Sequence, residues 1–283
     1  AAELTAAQDC AAFVLRAHER ISSELGAASR YILPETLPAL CRVCERAFIF
    51  QQLPWLQQLF GTLLLDASQR ELLAGLFKLL RRVDGGLDEG RKRFQELIGT
   101  EGAAAVAAQA RDAPEGKYAN VDPVDFIGLA IGRYTHYITL VRECFDTDPS
   151  FLQALHKGLA VLVNANKACA ELLASFAHTL LDTDPKSSRA LAAGGEAALQ
   201  DVVTCLRYVW SKDVFQHNYA RLLAKRLISD TSASRDAEEV TCRALLQVCT
   251  RDFTLRLQRM LADKQRSLDL DTAFAQSEAA GGA

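Results

Sequence analysis

The chain has 283 residues and a formal net charge of −3, from 32 basic and 35 acidic side chains. Phosphate contacts need concentrated positive charge, so this balance argues against a general nucleic-acid binder. Eight cysteines are too sparse for a disulfide scaffold, and no apolar run approaches the roughly 20 residues that span a bilayer. We therefore expect reduced thiols, no membrane contact and a cytoplasmic or nuclear location.

Apolar residues recur at spacings of three and four along the chain, and no stretch alternates with the period of a strand. The pattern predicts a helix over residues 2–30, a second helix that ends at 50, and further helices that begin at or near 54, 69, 87, 123, 148, 167 and 212. One more helix is predicted over residues 196–210. Helices with short connections favour an all-α fold, either a solenoid or a bundle.

Acidic residues before prolines mark several helix starts. Asp122 followed by Pro123 predicts an N-cap and a first helical position. The repeated tetrapeptides at 146–149 and 182–185, both Asp-Thr-Asp-Pro, could suggest cation binding, but neither continues into the glycine and twelfth-position glutamate of a calcium loop. Capping explains both. Residues 182–195 are the most loop-like stretch, and we expect a domain boundary there.

Chemically reactive residues do not form a recognisable site in the sequence. Cys41 and Cys44 have the spacing of half a zinc site or of a redox motif, but no second ligand pair exists, so two core cysteines are the favoured interpretation. His18-Glu19 begins like a zincin helix without its second histidine. The other histidines have no catalytic partner at a diagnostic spacing: His136, His156, His178 and His217. We predict no catalytic, cofactor-binding or metal-binding residue.

Two basic spots are the densest in the chain, residues 91–93 and Lys78 with Arg81 and Arg82. We interpret them as solvated helix faces, with a ligand or acidic-partner patch as the alternative. The nearby glycines lack the Gly-Lys-Ser/Thr that would cradle a phosphate.

The helix that begins at Lys212 has a tight apolar stripe, and a second stripe follows downstream. We predict that these residues form the scaffold core: Phe215, Tyr219, Leu223, Leu227, Phe253, Leu257 and Met260. Arg221, Lys225 and Arg226 fall on the flanks of the first stripe. Asp236 with Glu239 predicts a cap at the start of the next helix.

The same stretch resembles the cullin signature, where the stalk of a cullin passes into its four-helix bundle. The matching residues are Lys212-Asp213-Val214-Phe215, Tyr219, Leu223-Ala224-Lys225-Arg226-Leu227, Ser232-Ala233-Ser234, Asp236 and Glu238. Upstream, residues 144–166 look like the third cullin repeat. Thr250 stands where the family usually has glycine, and Asp182–Asp184 is acidic where a basic pair is usual.

The resemblance implies an elongated stack of cullin-type helical repeats that leads into a partial four-helix bundle. Residues 1–50 would be the tail of the second repeat, 51–190 the third repeat, and 191–283 the truncated start of the bundle. The chain is closest to the cullin type that works with F-box adaptors. It begins without methionine, and we expect it to be a piece of a longer protein.

The function implied by the resemblance is that of a non-enzymatic scaffold segment of a cullin-RING ubiquitin ligase, a rigid spacer in ubiquitin-dependent protein catabolism. The implied partners are a RING subunit, an adaptor and an F-box protein, with no cofactor. Both main docking regions would lie outside this chain, which alone should not assemble an active ligase. The alternative is a helical-repeat tethering subunit or an anaphase-promoting-complex-like subunit with other partners.

Overall fold

The computed structural model describes residues 2–33, 35–114, 117–183 and 195–281. The chain forms helices α1 to α12 in order: Ala2–Tyr31, Leu37–Phe48, Leu53–Leu63, Arg70–Leu80, Asp88–Asp112, Pro123–Cys144, Pro149–Asn164, Cys169–Leu181, Gly195–Leu206, Lys212–Ser229, Arg235–Leu245 and Arg251–Gly281. Within those described ranges the β contact is a single bridge between Asp182 and Ser232. The all-α prediction is confirmed.

Two of the predicted caps are present. The backbone N–H of Val124 donates to Asp122 Oδ1 at 2.8 Å, which satisfies an orphan donor at the start of α6. The N–H of Ser150 donates to Asp148 Oδ1 at 2.9 Å and does the same for α7. Asp184, which would cap in the same way, lies outside the described residues.

Other local predictions were wrong. The second helix ends at Phe48, and a 3₁₀ turn over Phe50–Gln52 follows it. The helix predicted over 196–210 ends at Leu206. The predicted cap of α11 is absent because the helix already begins at Arg235, which places Asp236 inside its first turn. Most of the loop-like stretch, 184–194, lies outside the described residues.

The chain divides into two compact units: unit one is Ala1–Glu101 with Tyr134–Gly158, and unit two is Gly102–Arg133 with Leu159–Ala283. The domain bounds expected after residues 50 and 190 stay a prediction.

Five phenylalanines form the core of unit one. Their rings are fully buried and neighbouring ring centroids lie 4.3 to 6.0 Å apart, and the five are Phe60, Phe77, Phe94, Phe145 and Phe151. Burying rings of this size in mutual contact contributes apolar stabilisation to the unit. Nearby, α7 approaches α5 so closely that a Cβ on Gly158 would lie 2.8 Å from Cβ of Ile98.

The core of unit two is centred on α8, most of whose residues are buried. It packs against α9 and α10. Of the described helices, none is by itself long and apolar enough to cross a bilayer; α7 and α8 together reach that length and composition but meet at a bend of 86°.

Candidate functional site

A buried ion pair joins α10 to α11 in unit two. Arg226 on α10 and Glu238 on α11 both have side chains that are 0% exposed. Arg226 Nε donates to Glu238 Oε1 at 2.7 Å, and Nη2 donates to Oε2 at 3.0 Å. The planar fork of the guanidinium fits the carboxylate along two parallel bonds, so the pair fixes both distance and orientation between the helices.

The third helix of the junction is α8, which reaches the pair through His178. Arg226 Nη1 lies 3.0 Å from His178 Nδ1. A guanidinium can only donate, so Nδ1 accepts and His178 is neutral with its proton on Nε2. That nitrogen faces Asp182 Oδ2 at 3.4 Å. Burial and the charge of Arg226 lower the pKa of His178, which agrees with the neutral ring.

Main-chain hydrogen bonds close the same junction. The N–H of Thr183 donates to Thr231 O at 2.9 Å, and the N–H of Ala233 donates to Leu181 O at 2.9 Å. The end of α8 is therefore paired with the connection between α10 and α11. Ser232, in the middle of that connection, donates from Oγ to Glu238 Oε1 at 3.0 Å.

Tyr219 lies beside the Arg226–Glu238 pair. Its ring is fully buried and stacks on Phe215 at 5.7 Å, and the guanidinium carbon of Arg226 lies 5.7 Å from its centroid. Burial holds the pKa of Tyr219 well above its usual range. Burial also opposes the charge of Arg226, but the hydrogen bonds and charge of Glu238 outweigh it and raise the pKa of Arg226. Arg226 is thus a permanent cation, and its charge is paired with Glu238 inside the protein.

This arrangement is better suited to fixing the positions of the helices than to catalysing a reaction. Both groups of the pair are shielded from solvent and hydrogen-bonded to each other; Ser232 donates to the carboxylate, and the guanidinium donates to His178. A buried ion pair contributes little net stability relative to an apolar replacement, but losing one partner is costly. The network therefore joins α8, α10 and α11 through hydrogen bonds whose directions depend on how the three helices are placed.

The seven residues predicted as scaffold core lie on α10 and α12. Phe215, Tyr219, Leu223 and Leu257 are 0% exposed and Phe253 is 7% exposed. Leu227 and Met260 are only half-buried, so each apolar stripe weakens at its C-terminal end. Their assignment as the scaffold core stays a prediction.

Sequence reasoning missed Arg226 as a functional residue, because it placed the arginine on a flank of the apolar stripe and not in the core. A signal was available. Glu238 shares the spacing of the buried face of α11, which also holds Thr241, Cys242 and Leu245, and Arg226 falls three residues after buried Leu223. One cation and one anion at core positions of consecutive helices predict a buried pair.

The remaining chemical candidates are dispersed. The seven cysteines whose side chains are described are all free thiols; of the Cys41–Cys44 pair, Cys44 is buried and Cys41 half-buried. Among the described residues, no cluster of histidine, cysteine and carboxylate side chains could hold a metal ion. His18 lies 2.9 Å from the carbonyl oxygen of Gly75, and of the described histidines only His178 belongs to the Arg226 network.

Comparison with known proteins gives a family match over almost the whole chain. The family model described as the Cullin alpha solenoid domain matches residues 1–271. Cullin-1 of Schizosaccharomyces pombe is 32% identical over 281 residues, which cover 96% of this chain and 36% of that protein. Cullin-1 of Caenorhabditis elegans is 31% identical, covering 94% and 35%, and cullin-6 of the same organism is 29% identical, covering 93% and 36%. The chain spans about a third of the length of the curated relatives it matches.

Proposed function

Because the chain belongs to the cullin family, we propose that it is a non-enzymatic scaffold segment of a cullin-RING ubiquitin ligase. In this role it holds a substrate adaptor and a RING subunit with its charged conjugating enzyme at a fixed separation. A fixed separation raises the effective concentration of substrate lysine and thioester without a reactive group on the scaffold itself.

The buried Arg226–Glu238 pair carries this proposal. A spacer needs helix junctions that do not bend, and this junction is held by charge-assisted hydrogen bonds at 2.7 and 3.0 Å and by main-chain bonds at 2.9 Å. Since polar groups buried in this way select one geometry, they suit a part whose output is position. The residues of the pair lie in the stretch that resembles the family signature.

The partners proposed are the ligase components: a RING subunit, an adaptor and an F-box protein. We also propose a role in ubiquitin-dependent protein catabolism and a location in the cytoplasm or nucleus. The chain by itself is proposed not to assemble an active ligase. The comparisons with cullins favour this function over a tethering or anaphase-promoting-complex-like subunit, and no observation in the described residues supports that alternative.

A chimera tests the proposal. The segment of Schizosaccharomyces pombe cullin-1 that aligns with this chain is replaced by the chain, and the chimera is purified with the partners of the parent protein. We expect co-purification of the adaptor and RING subunit and ubiquitin transfer to a substrate. A folded chimera that binds both partners yet transfers no ubiquitin would contradict the scaffold function, and recovery of tethering factors in their place would favour the alternative.

A further inference from the structure

A polar groove of about 320 Å³ lies between α5 and α7 within unit one. Each helix contributes one face to it, because the lining residues recur at intervals of three and four. On α5 these are Asp88, Arg91, Lys92 and Gln95, and on α7 they include Ser150, Gln153 and Lys157.

The two helices that form the groove run in the same direction along it. Asp88 is the first residue of α5 and Ser150 the second of α7, and both line the groove. Farther along both helices, Gly158 packs against Ile98. The N-terminal ends of α5 and α7 therefore lie at the same end of the groove, where their partial positive charges add.

The residues that line the groove include more positive than negative side chains. Arg91 forms an ion pair with Asp88. Lys92 and Lys157 are both exposed, and in the described part of the chain neither has a carboxylate within ion-pair distance. A cation in the second turn of a helix gains nothing from the helix dipole, and Asp88, four residues before Lys92, is already paired with Arg91. In a chain whose net charge is −3, this groove is a local exception.

We propose that the groove docks a carboxylate-rich segment of a partner protein. Each wall runs over eight residues of helix, and the seven rises between its ends give a length of about 10 Å, which matches about three residues of extended chain. The lysines could each pair with a separate carboxylate, while the side-chain amides of Gln95 and Gln153 supply neutral donors. Asp88 is already paired with Arg91, so the two lysines are the charges left for the carboxylates of a partner. The docking site is independent of the scaffold function.

Fluorescence anisotropy with a fluorescein-labelled hexaglutamate peptide tests the proposal. The unaltered chain should bind the peptide saturably, and added salt should weaken the complex. Lys92→Glu and Lys157→Glu should each raise the Kd about tenfold or more, because each replaces an attraction with a repulsion. The matched control is Arg20→Glu, which makes the same charge change at another exposed position of unit one, outside both basic spots, and should leave the Kd unchanged.

Three results would overturn the proposal. The first is an absence of saturable binding at peptide concentrations up to about 1 mM. The second is an equal change in all three variants, since that would reflect total charge alone. The third is displacement of the peptide by inorganic phosphate at an equal concentration, which would indicate a general anion site. Circular dichroism of each variant checks that the helices are retained.

Discussion

Removing Glu238 should destabilise unit two more than any exposed substitution. Both side chains are 0% exposed. Glu238→Ala therefore leaves the guanidinium of Arg226 buried, without its anion and without water in place of the anion. Breaking one partner of a buried pair costs about 3–5 kcal/mol. The two hydrogen bonds, at 2.7 and 3.0 Å, lead to about 3–6 kcal/mol when each is given about 1.5–3 kcal/mol as a bond to a charged group, which overlaps that range.

Urea unfolding measures this loss of stability, and hydrogen exchange followed by mass spectrometry shows where in the chain it occurs. Faster exchange is expected first in peptides from α8, α10 and α11, because these helices share the network. The matched control is Glu239→Ala, one residue along α11. Glu239 pairs with Arg235 at 3.1 Å, and its side chain is 40% exposed, so its loss should cost less than about 1 kcal/mol.

An apolar replacement separates the cost of an orphaned charge from the value of the pair. The double variant Arg226→Met with Glu238→Leu should recover most of the stability lost in Glu238→Ala, because it removes both charges. If Glu238→Ala were no more destabilising than Glu239→Ala, the pair would not hold the junction and the reasoning would be refuted.

Three further predictions concern other parts of the molecule. Burial and the neighbouring arginine lower the folded-state pKa of His178 from 6.5, so the unfolded chain binds more protons than the folded chain between that lowered pKa and 6.5. The contribution of His178 to stability should be complete above pH 6.5 and decline as pH falls through this window. Urea unfolding between about pH 5 and pH 7 should show a smaller decline in His178→Gln. Gly158→Ala should destabilise unit one by about 1–3 kcal/mol through overpacking, whereas Gly128→Ala, with nothing within 4 Å of the added Cβ, should be neutral or stabilising in thermal unfolding. Phe151→Ala should cost about 3–5 kcal/mol in urea unfolding, and Phe274→Ala, at a side chain that is 64% exposed, should remain within about 0.5 kcal/mol of the parent.

The helical architecture was readable from the sequence because most of the helices show their buried face through three-and-four spacing. Asp122 and Asp148 were predicted as caps for a local reason, since a capping bond joins residues two positions apart. The α11 cap failed because Asp236 and the true first residue, Arg235, are both polar and give no contrast that marks the boundary.

The junction was less predictable because it depends on contacts between residues far apart in sequence. The contact between His178 and Arg226 spans 48 positions, and no local pattern encodes it. The ring cluster of unit one has the same character: Phe94 lies on α5, whose weak apolar pattern does not single out the ring, although Phe94 is fully buried against Phe145 and Phe151.

The rate of ubiquitin transfer by the Schizosaccharomyces pombe cullin-1 chimera, with Glu238→Ala and Glu239→Ala compared in parallel, tests the proposed scaffold role most directly. A positional role predicts that both variants bind the adaptor and the RING subunit as the unaltered chimera does, and that only Glu238→Ala transfers ubiquitin more slowly. Equal transfer rates in the two variants, with the loosened junction verified by hydrogen exchange, would contradict the claim that a rigid junction serves the ligase.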